Sequence, residues 1–193
     1  MKYLKTFEEI TVYHGSGKLF KKFDTTMMSK KMSQDTYGWG FYFTDNEEVS
    51  KIYANEHDDK YVYQIKLHKG KGLNDYDYLI FDKKPTEEQI NKVLKQAEIE
   101  KIEIELSDVK IGWDLMKSLF EYFYDTLSMD DQFSYGYNTA KKMTSLFLIR
   151  AGVDGMKYKM PNDSELNFEH GYDGYNYVVF DENNITIDKI DKL

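Results

Sequence analysis

Tyr37-Gly38-Trp39-Gly40-Phe41-Tyr42-Phe43-Thr44-Asp45 runs on through Asn46-Glu47-Glu48-Val49-Ser50-Lys51-Ile52-Tyr53-Ala54. It reads as a glycine turn, a short aromatic strand and a capped helix. Glycines on either side of Trp39 permit a tight turn and a close approach to the backbone, because neither carries a Cβ. Phe41-Tyr42-Phe43-Thr44 has strand-forming residue types that present alternate sides. Asp45 followed three positions later by Glu48 is a capping-box pattern, and Val49, Ile52 and Tyr53 fall on one helical face. Ser50 and Tyr53 lie one turn apart, which puts a hydroxyl beside an aromatic ring. With Tyr42 on the strand that feeds the helix, two tyrosines and a serine converge next to open glycine backbone. Such a group suits a flat ring bearing an amide; the same pattern also serves as core packing, and the remainder of the chain has to decide between the two.

The 193 residues suit one domain with a sizeable core. Aromatic residues make up 16% of the chain and 17 of them are tyrosines, whose apolar ring and polar tip favour the lining of a cleft. With no cysteine there is no disulfide, thiolate metal site or cysteine nucleophile. A formal net charge of -8 disfavours general nucleic-acid binding, which needs a positive footprint. No apolar run is long enough to span a membrane. The opening residues Met1 to Glu9 lack the apolar core of an export signal, so a cytoplasmic location, in the producing or an infected bacterial cell, is expected.

Upstream, Glu9-Ile10-Thr11-Val12-Tyr13-His14 alternates as a strand that Gly15-Ser16-Gly17 should break, leaving His14 at its end. Lys18 to Tyr37 has no sustained period and is expected to be a mobile loop with one helical turn. Its lysines Lys18, Lys21, Lys22, Lys30 and Lys31 form either a solvated face or a clamp over phosphates. Downstream, Lys60 to His68 alternates as a strand. Thr86 and Gln89 form a second capping box ahead of a stripe of Ile90, Val93, Leu94 and Ala97. Ile102, Ile104 and Leu106 make a short strand or an extended connector. Trp113 to Leu127 and Tyr137 to Ile149 are amphipathic helices whose aromatic and methionine stripes belong to a core. Gly152 is placed to end the second of these. Strands are expected at Met156–Met160, Tyr177–Phe180 and Ile185–Ile187, with a polar loop from Pro161 to Gly174.

Three separated motifs resemble the ADP-ribosyltransferase superfamily, in the diphtheria-toxin-like branch shared with the poly(ADP-ribose) polymerases. They are Val12-Tyr13-His14-Gly15-Ser16, then Gly38 to Asp45 with Ser50 and Tyr53, and then Tyr175-Asn176-Tyr177-Val178-Val179-Phe180-Asp181. The spacing from Tyr42 to Ser50 and Tyr53 matches the polymerase pattern. Ala151 to Gly155 followed by the third motif is similar to phage and mobile-element members.

The resemblance implies an α+β fold of two small, mostly antiparallel sheets enclosing an NAD cleft. It covers residues 10 to 68 and 148 to 190, so the chain reads as a single domain, 1–193, with a helical insertion at about 71–147. It further implies that His14 bonds a ribose hydroxyl and that the Gly15 backbone and Ser50 hold the nicotinamide amide. Tyr42 and Tyr53 would sandwich the ring, and Ser16 would lie toward the adenosine. NAD would be a substrate, no metal is implied, and the acceptor would be a macromolecule, most fittingly a protein. At the position where the polymerases carry a catalytic glutamate this chain has Asn176. Asn176 itself, or Asp173 or Glu169 in the loop before it, is then left to support turnover, and chain elongation is disfavoured. Transfer of one ADP-ribose unit is the leading expectation. NAD hydrolysis and a non-catalytic NAD- or ADP-ribose-binding module are the alternatives, and RNA 2'-phosphotransfer is disfavoured by the acidic balance.

Overall fold

Alternation of apolar and polar residues produces most of the strands. Val62, Tyr63, Ile65 and Leu67 are buried along β3 (Tyr61–Leu67), and Val12 is buried in β1 (Ile10–Ser16). The computed structural model describes residues 10–27, 37–67, 77–159 and 173–193. The further strands are β2 (Phe41–Thr44), β4 (Tyr78–Ile80), β5 (Gly155–Lys159), β6 (Tyr175–Val179) and β7 (Ile185–Lys192). The helices are α1 (Glu47–Asn55), α2 (Glu87–Glu100), α3 (Gly112–Asp125), α4 (Met129–Ser134) and α5 (Gly136–Ala151). The fold is α+β. Among the described residues no helix is long and apolar enough to cross a membrane.

The strands form one sheet in the order β4-β5-β6-β2-β1-β3-β7, antiparallel throughout except for the parallel β4–β5 pair. The two sheets expected from the sequence are thus joined, but by very little. β2 pairs with β6 along its whole length, from Phe41↔Val179 to Thr44↔Asn176. β1 pairs with β3 from Ile10↔Leu67 to Ser16↔Tyr61. Between β1 and β2 there is one registered pair, Tyr13↔Thr44. Beyond it the strands part, and the Nδ1 of His14 meets the Tyr42 carbonyl at 2.9 Å where a backbone ladder would have continued. A cleft opens at that parting.

Each face of the sheet carries a core. On one, α2, α3 and α5 cover β4 to β6, with Val93, Leu115, Leu119 and Phe147 against Leu79, Met156 and Val178. On the other, Phe23, Phe41, Phe43, Tyr63 and Ile65 pack with Tyr177 and Val179. Along β6, Val178 belongs to the first core and its neighbours Tyr177 and Val179 to the second, as the two-residue strand period requires. The helices assigned to an insertion therefore share a core with the strand that carries Asn176.

The Thr86/Gln89 capping box is present in both halves, and Gly152 ends α5 at φ +84, a left-handed conformation suited to glycine. Residues 102–106 form a connector with no helix or strand. α1 is capped by Asn46, not Asp45: its Oδ1 accepts from the N–H groups of Glu48 and Val49 at 3.0 and 3.4 Å. Asp45 instead accepts from the Tyr175 N–H at 2.8 Å, which ties the start of α1 to β6. β1 runs through Gly15 rather than stopping there. A Cβ on Gly15 would lie 2.0 Å from the Ser50 carbonyl oxygen and 2.7 Å from the Ala54 nitrogen, so this glycine serves the close approach of α1. β7 is longer than Ile185–Ile187 because the register shifts between Gln64 and Ile65, setting Gln64 against Lys189 and Ile65 against Ile187. The extra residue, Asp188, brings Ile187 and Ile190 to one face although they are three apart, which hides the strand period. The short elements β4 and α4 carry too few residues to show a period.

Lys18 to Met27, expected to be mobile, is anchored at several points. The Tyr63 hydroxyl donates to the Lys18 carbonyl and accepts from the Phe20 N–H, both at 2.8 Å. The Thr25 N–H donates to Glu182 at 2.6 Å, and Phe23 is buried. The expected helical turn is a short 3-10 helix at Thr25–Met27. Lys30, Lys31, His68, Met160 and Glu169 lie outside the described residues, as does nearly all of the loop from Pro161.

Candidate functional site

Where β1 and β2 part, the walls of β1, β2, β5, β6 and α1 enclose a cleft of about 500 Å³. Its lining includes Tyr13, His14, Gly15, Tyr42, Ser50, Tyr53, Glu56, His57, Tyr158 and Asn176. His14, Gly15, Tyr42, Ser50, Tyr53 and Asn176, far apart in sequence, thus come together on one surface.

His14 sits within β1, and its ring is wedged among Phe20, Phe23, Phe43 and Tyr63 at centroid separations of 5.4 to 6.2 Å. A carbonyl can only accept, so the contact with Tyr42 O places the imidazole proton on Nδ1 and leaves Nε2 as a bare acceptor. Burial among apolar rings lowers the imidazole pKa below its ordinary 6.5, against a smaller opposing effect of the Tyr42 carbonyl. The neutral ring therefore prevails at physiological pH, able to accept from a sugar hydroxyl. Because the unfolded chain takes up the proton more readily, the stability that comes from this neutral ring is complete above pH 6.5. It falls as the pH drops from 6.5 toward the folded value. A thermal-melt series across that window should show this loss, and His14→Phe should flatten it.

Tyr42 is fixed from its tip. Its hydroxyl donates to the Gly38 carbonyl at 2.8 Å and accepts from the Tyr37 N–H at 3.1 Å. Gly38 has φ +121, a conformation that side chains rarely adopt, so the turn that holds the phenol depends on glycine. Tyr37 stacks on Tyr158 at 4.0 Å and meets Phe81 edge-on, stiffening the same wall. Tyr53 projects from α1 with 47% of its surface exposed. Its phenol pKa is raised by partial burial, then by the charge of Glu56 and by Tyr37. Tyr158 is raised further, again chiefly by burial. These phenols stay protonated and present rings and O–H groups, not charge.

Ser50 is fully buried beside Gly15, and its hydroxyl donates to the Glu47 carbonyl at 2.7 Å. With the proton used, what Oγ keeps for a ligand is lone pairs, which suit the N–H of a carboxamide. Asn176 faces Thr44 across β2 and Tyr158 across β5. It is 9% exposed, and its carboxamide has no hydrogen-bond partner among the described residues. Lining the cleft, that carboxamide keeps its donors and its acceptor for a ligand or for water.

Asp173 and Ser16 are not among the lining residues. Asp173 is exposed and pairs with Lys159 at 3.1 Å, while the Ser16 hydroxyl accepts from the Lys18 N–H at 3.1 Å. Among the basic residues before Tyr37, Lys22 turns to Glu182 at 3.2 Å, and no Lys or Arg is found among the described lining residues. Glu56 and His57 were missed from sequence. Yet they lie three and four residues after Tyr53, the spacing of one helix face, and that spacing was the signal available.

Gly15→Ala is expected to cost about 1–3 kcal/mol of stability, because the methyl meets backbone on α1 that has nowhere to move. Denaturant unfolding would measure it, and an unchanged midpoint would show that α1 can shift.

The cleft thus offers two tyrosine rings, one rigidly held, with a buried serine acceptor, a neutral imidazole and a carboxamide unpaired among the described residues. Among the described residues no group of three or more His, Asp or Glu side chains is placed to hold a metal ion. Comparison with curated proteins and with solved structures gave no match. Comparison with family models did: the model described as "ADP-Ribosyltransferase in polyvalent proteins" matches residues 8–187, spanning every element of the cleft. The chain belongs to this family of ADP-ribosyltransferases.

Proposed function

We propose that the cleft binds NAD and that the protein transfers one ADP-ribose unit from it to a macromolecular acceptor, most fittingly a protein side chain, releasing nicotinamide. The observation that carries this reading is the assembly of His14, Tyr42, Ser50, Tyr53 and Asn176 around one cleft. Tyr42 and Tyr53 take the faces of the nicotinamide ring, each stack worth about 0.5–1.5 kcal/mol beyond area burial. Ser50 accepts from the amide N–H₂, the Gly15 backbone completes the amide bonding, and the His14 Nε2 accepts from a ribose hydroxyl.

In the reaction the N-glycosidic bond breaks and its electron pair leaves with nicotinamide, which departs neutral. The anomeric carbon becomes oxocarbenium-like, the acceptor's nucleophilic atom bonds to it, and that atom's proton passes to solvent. Asn176 accepts from the ribose through its carboxamide oxygen and aims a dipole at the developing charge, a weaker aid than a carboxylate. Without that carboxylate a second unit is not added, which is why single transfer is preferred to chain growth.

Asn176 also favours the reading of a non-catalytic NAD-binding module. Incubating the pure protein with adenylate-labelled NAD, alone and with cell lysate, separates the cases. Label on a macromolecule is the expected result. Free labelled ADP-ribose without it would make the protein a hydrolase, and calorimetric binding without turnover would make it a module. Tyr53→Ala should weaken NAD binding about tenfold, the equivalent of roughly 1.4 kcal/mol; equal affinity would remove Tyr53 from the clamp.

A further inference from the structure

Glu56 is the one carboxylate among the described residues that line the cleft, and it has no hydrogen-bond or ion-pair partner among them. Its position follows from how α1 lies on β1. Gly15 faces Ser50 and Ala54, and one turn further on the ring of His57 lies against the backbone of Gly17, where a Cβ would sit 2.4 Å from it. The C-terminal end of α1 is therefore held beside the C-terminal end of β1, with Glu56 between the helix and the open cleft. Asn176 marks the opposite end, since Asp45, just ahead of α1, is tied to Tyr175 in both directions at 3.0 and 2.8 Å. The nine residues of α1 separate the two ends by roughly 13 Å.

The Glu56 end is chemically distinctive. The C-terminus of a helix carries partial negative charge, a carboxylate adds a full one, and no lysine or arginine among the described lining residues offsets them. A phosphate is poorly placed there. A carboxylate beside an imidazole is, however, well suited to a sugar diol, whose two O–H groups both donate. A carboxylate that accepts from a ribose 2'-hydroxyl also repels a phosphate on the same oxygen.

Resting on the reading of the cleft as an NAD site, we infer that Glu56, with His57 beside it, forms a ribose-diol subsite that admits NAD and rejects the 2'-phosphorylated dinucleotide NADP. With the nicotinamide held between Tyr42 and Tyr53 and its own ribose at Asn176, the adenosine half of the dinucleotide extends along α1 toward Glu56. His14 and Glu56 then address sugar hydroxyls from the strand side and the helix side.

The test is calorimetric binding of NAD and of NADP to the full chain, as wild type, Glu56→Gln and Glu56→Lys. All three side chains are at an exposed helix end, and near-ultraviolet circular dichroism confirms that the fold is retained. The wild type should bind NAD at least tenfold more tightly than NADP, and the gap should narrow at high salt because the repulsion acts through solvent. Glu56→Gln should reduce it to threefold or less, chiefly by tightening NADP, and Glu56→Lys should reverse the order. A gap unchanged in both variants, or no gap in the wild type, overturns the subsite while leaving the NAD cleft intact. Failure of the wild type to bind NAD at all overturns the cleft reading and the subsite with it.

Discussion

His14→Ala is expected to lower ADP-ribosyl transfer by at least a hundredfold, about 2.7 kcal/mol of transition-state stabilisation. The size of the effect follows from the two roles of one ring. Its Nδ1 bonds the Tyr42 carbonyl at 2.9 Å, at the place where β1 and β2 part, and so helps to hold the cleft open at a set width. In the proposed NAD complex its Nε2 accepts from the donor's ribose. Alanine removes both and leaves a gap among Phe20, Phe23, Phe43 and Tyr63. His14→Gln separates the roles, since a carboxamide can still bond the Tyr42 carbonyl but cannot present an imidazole acceptor at the same point. It should keep most of the thermal stability and little of the activity. Single-turnover transfer and a melting curve measure the two effects, and full activity in His14→Ala would refute the assignment.

The second large effect is expected at Asn176. Asn176→Ala should reduce turnover about thirtyfold, roughly 2 kcal/mol, with a smaller change in NAD affinity, because in the proposed reaction its dipole acts on charge that develops in the transition state. Asp173→Ala should leave turnover within twofold of the wild type: the side chain lies outside the cleft lining and pairs with Lys159 in solvent. The comparison decides between the two polar groups nominated from the sequence. If Asp173→Ala proves the more damaging, the carboxylate must reach the ribose in the working enzyme, and the role given to Asn176 is wrong.

Much of the cleft was legible in the chain because its parts are local. The turn, strand and helix from Tyr37 to Ala54 are contiguous, and the intervals from Tyr42 to Ser50 and Tyr53 are set by strand and helix geometry. Boundaries read less well. Asp45 and Asn46 are both good caps, and the choice fell to Asn46 because Asp45 is drawn to the Tyr175 N–H, 130 positions away. Gly15 looked like a strand terminator, because nothing local reveals that a helix carbonyl will lie against it. β7 looked short because a bulge at Asp188 breaks the alternation, and a bulge depends on the partner strand.

The site residues divide along the same line. Tyr42, Ser50 and Tyr53 could be grouped from local spacing, since residue type and local period are properties of the chain, whereas His14 and Asn176 were nominated through the resemblance of their motifs to the family. That they share one surface, that His14 must be the Nδ1–H tautomer, and that Ser50 offers lone pairs are consequences of long-range pairing. So too is the exchange of carboxylates, in which Asp173 turns away to Lys159 and Glu56 comes to the cleft. Charge and hydrogen-bonding capacity belong to a residue, whereas what that residue faces is set by packing between segments that the linear order keeps apart.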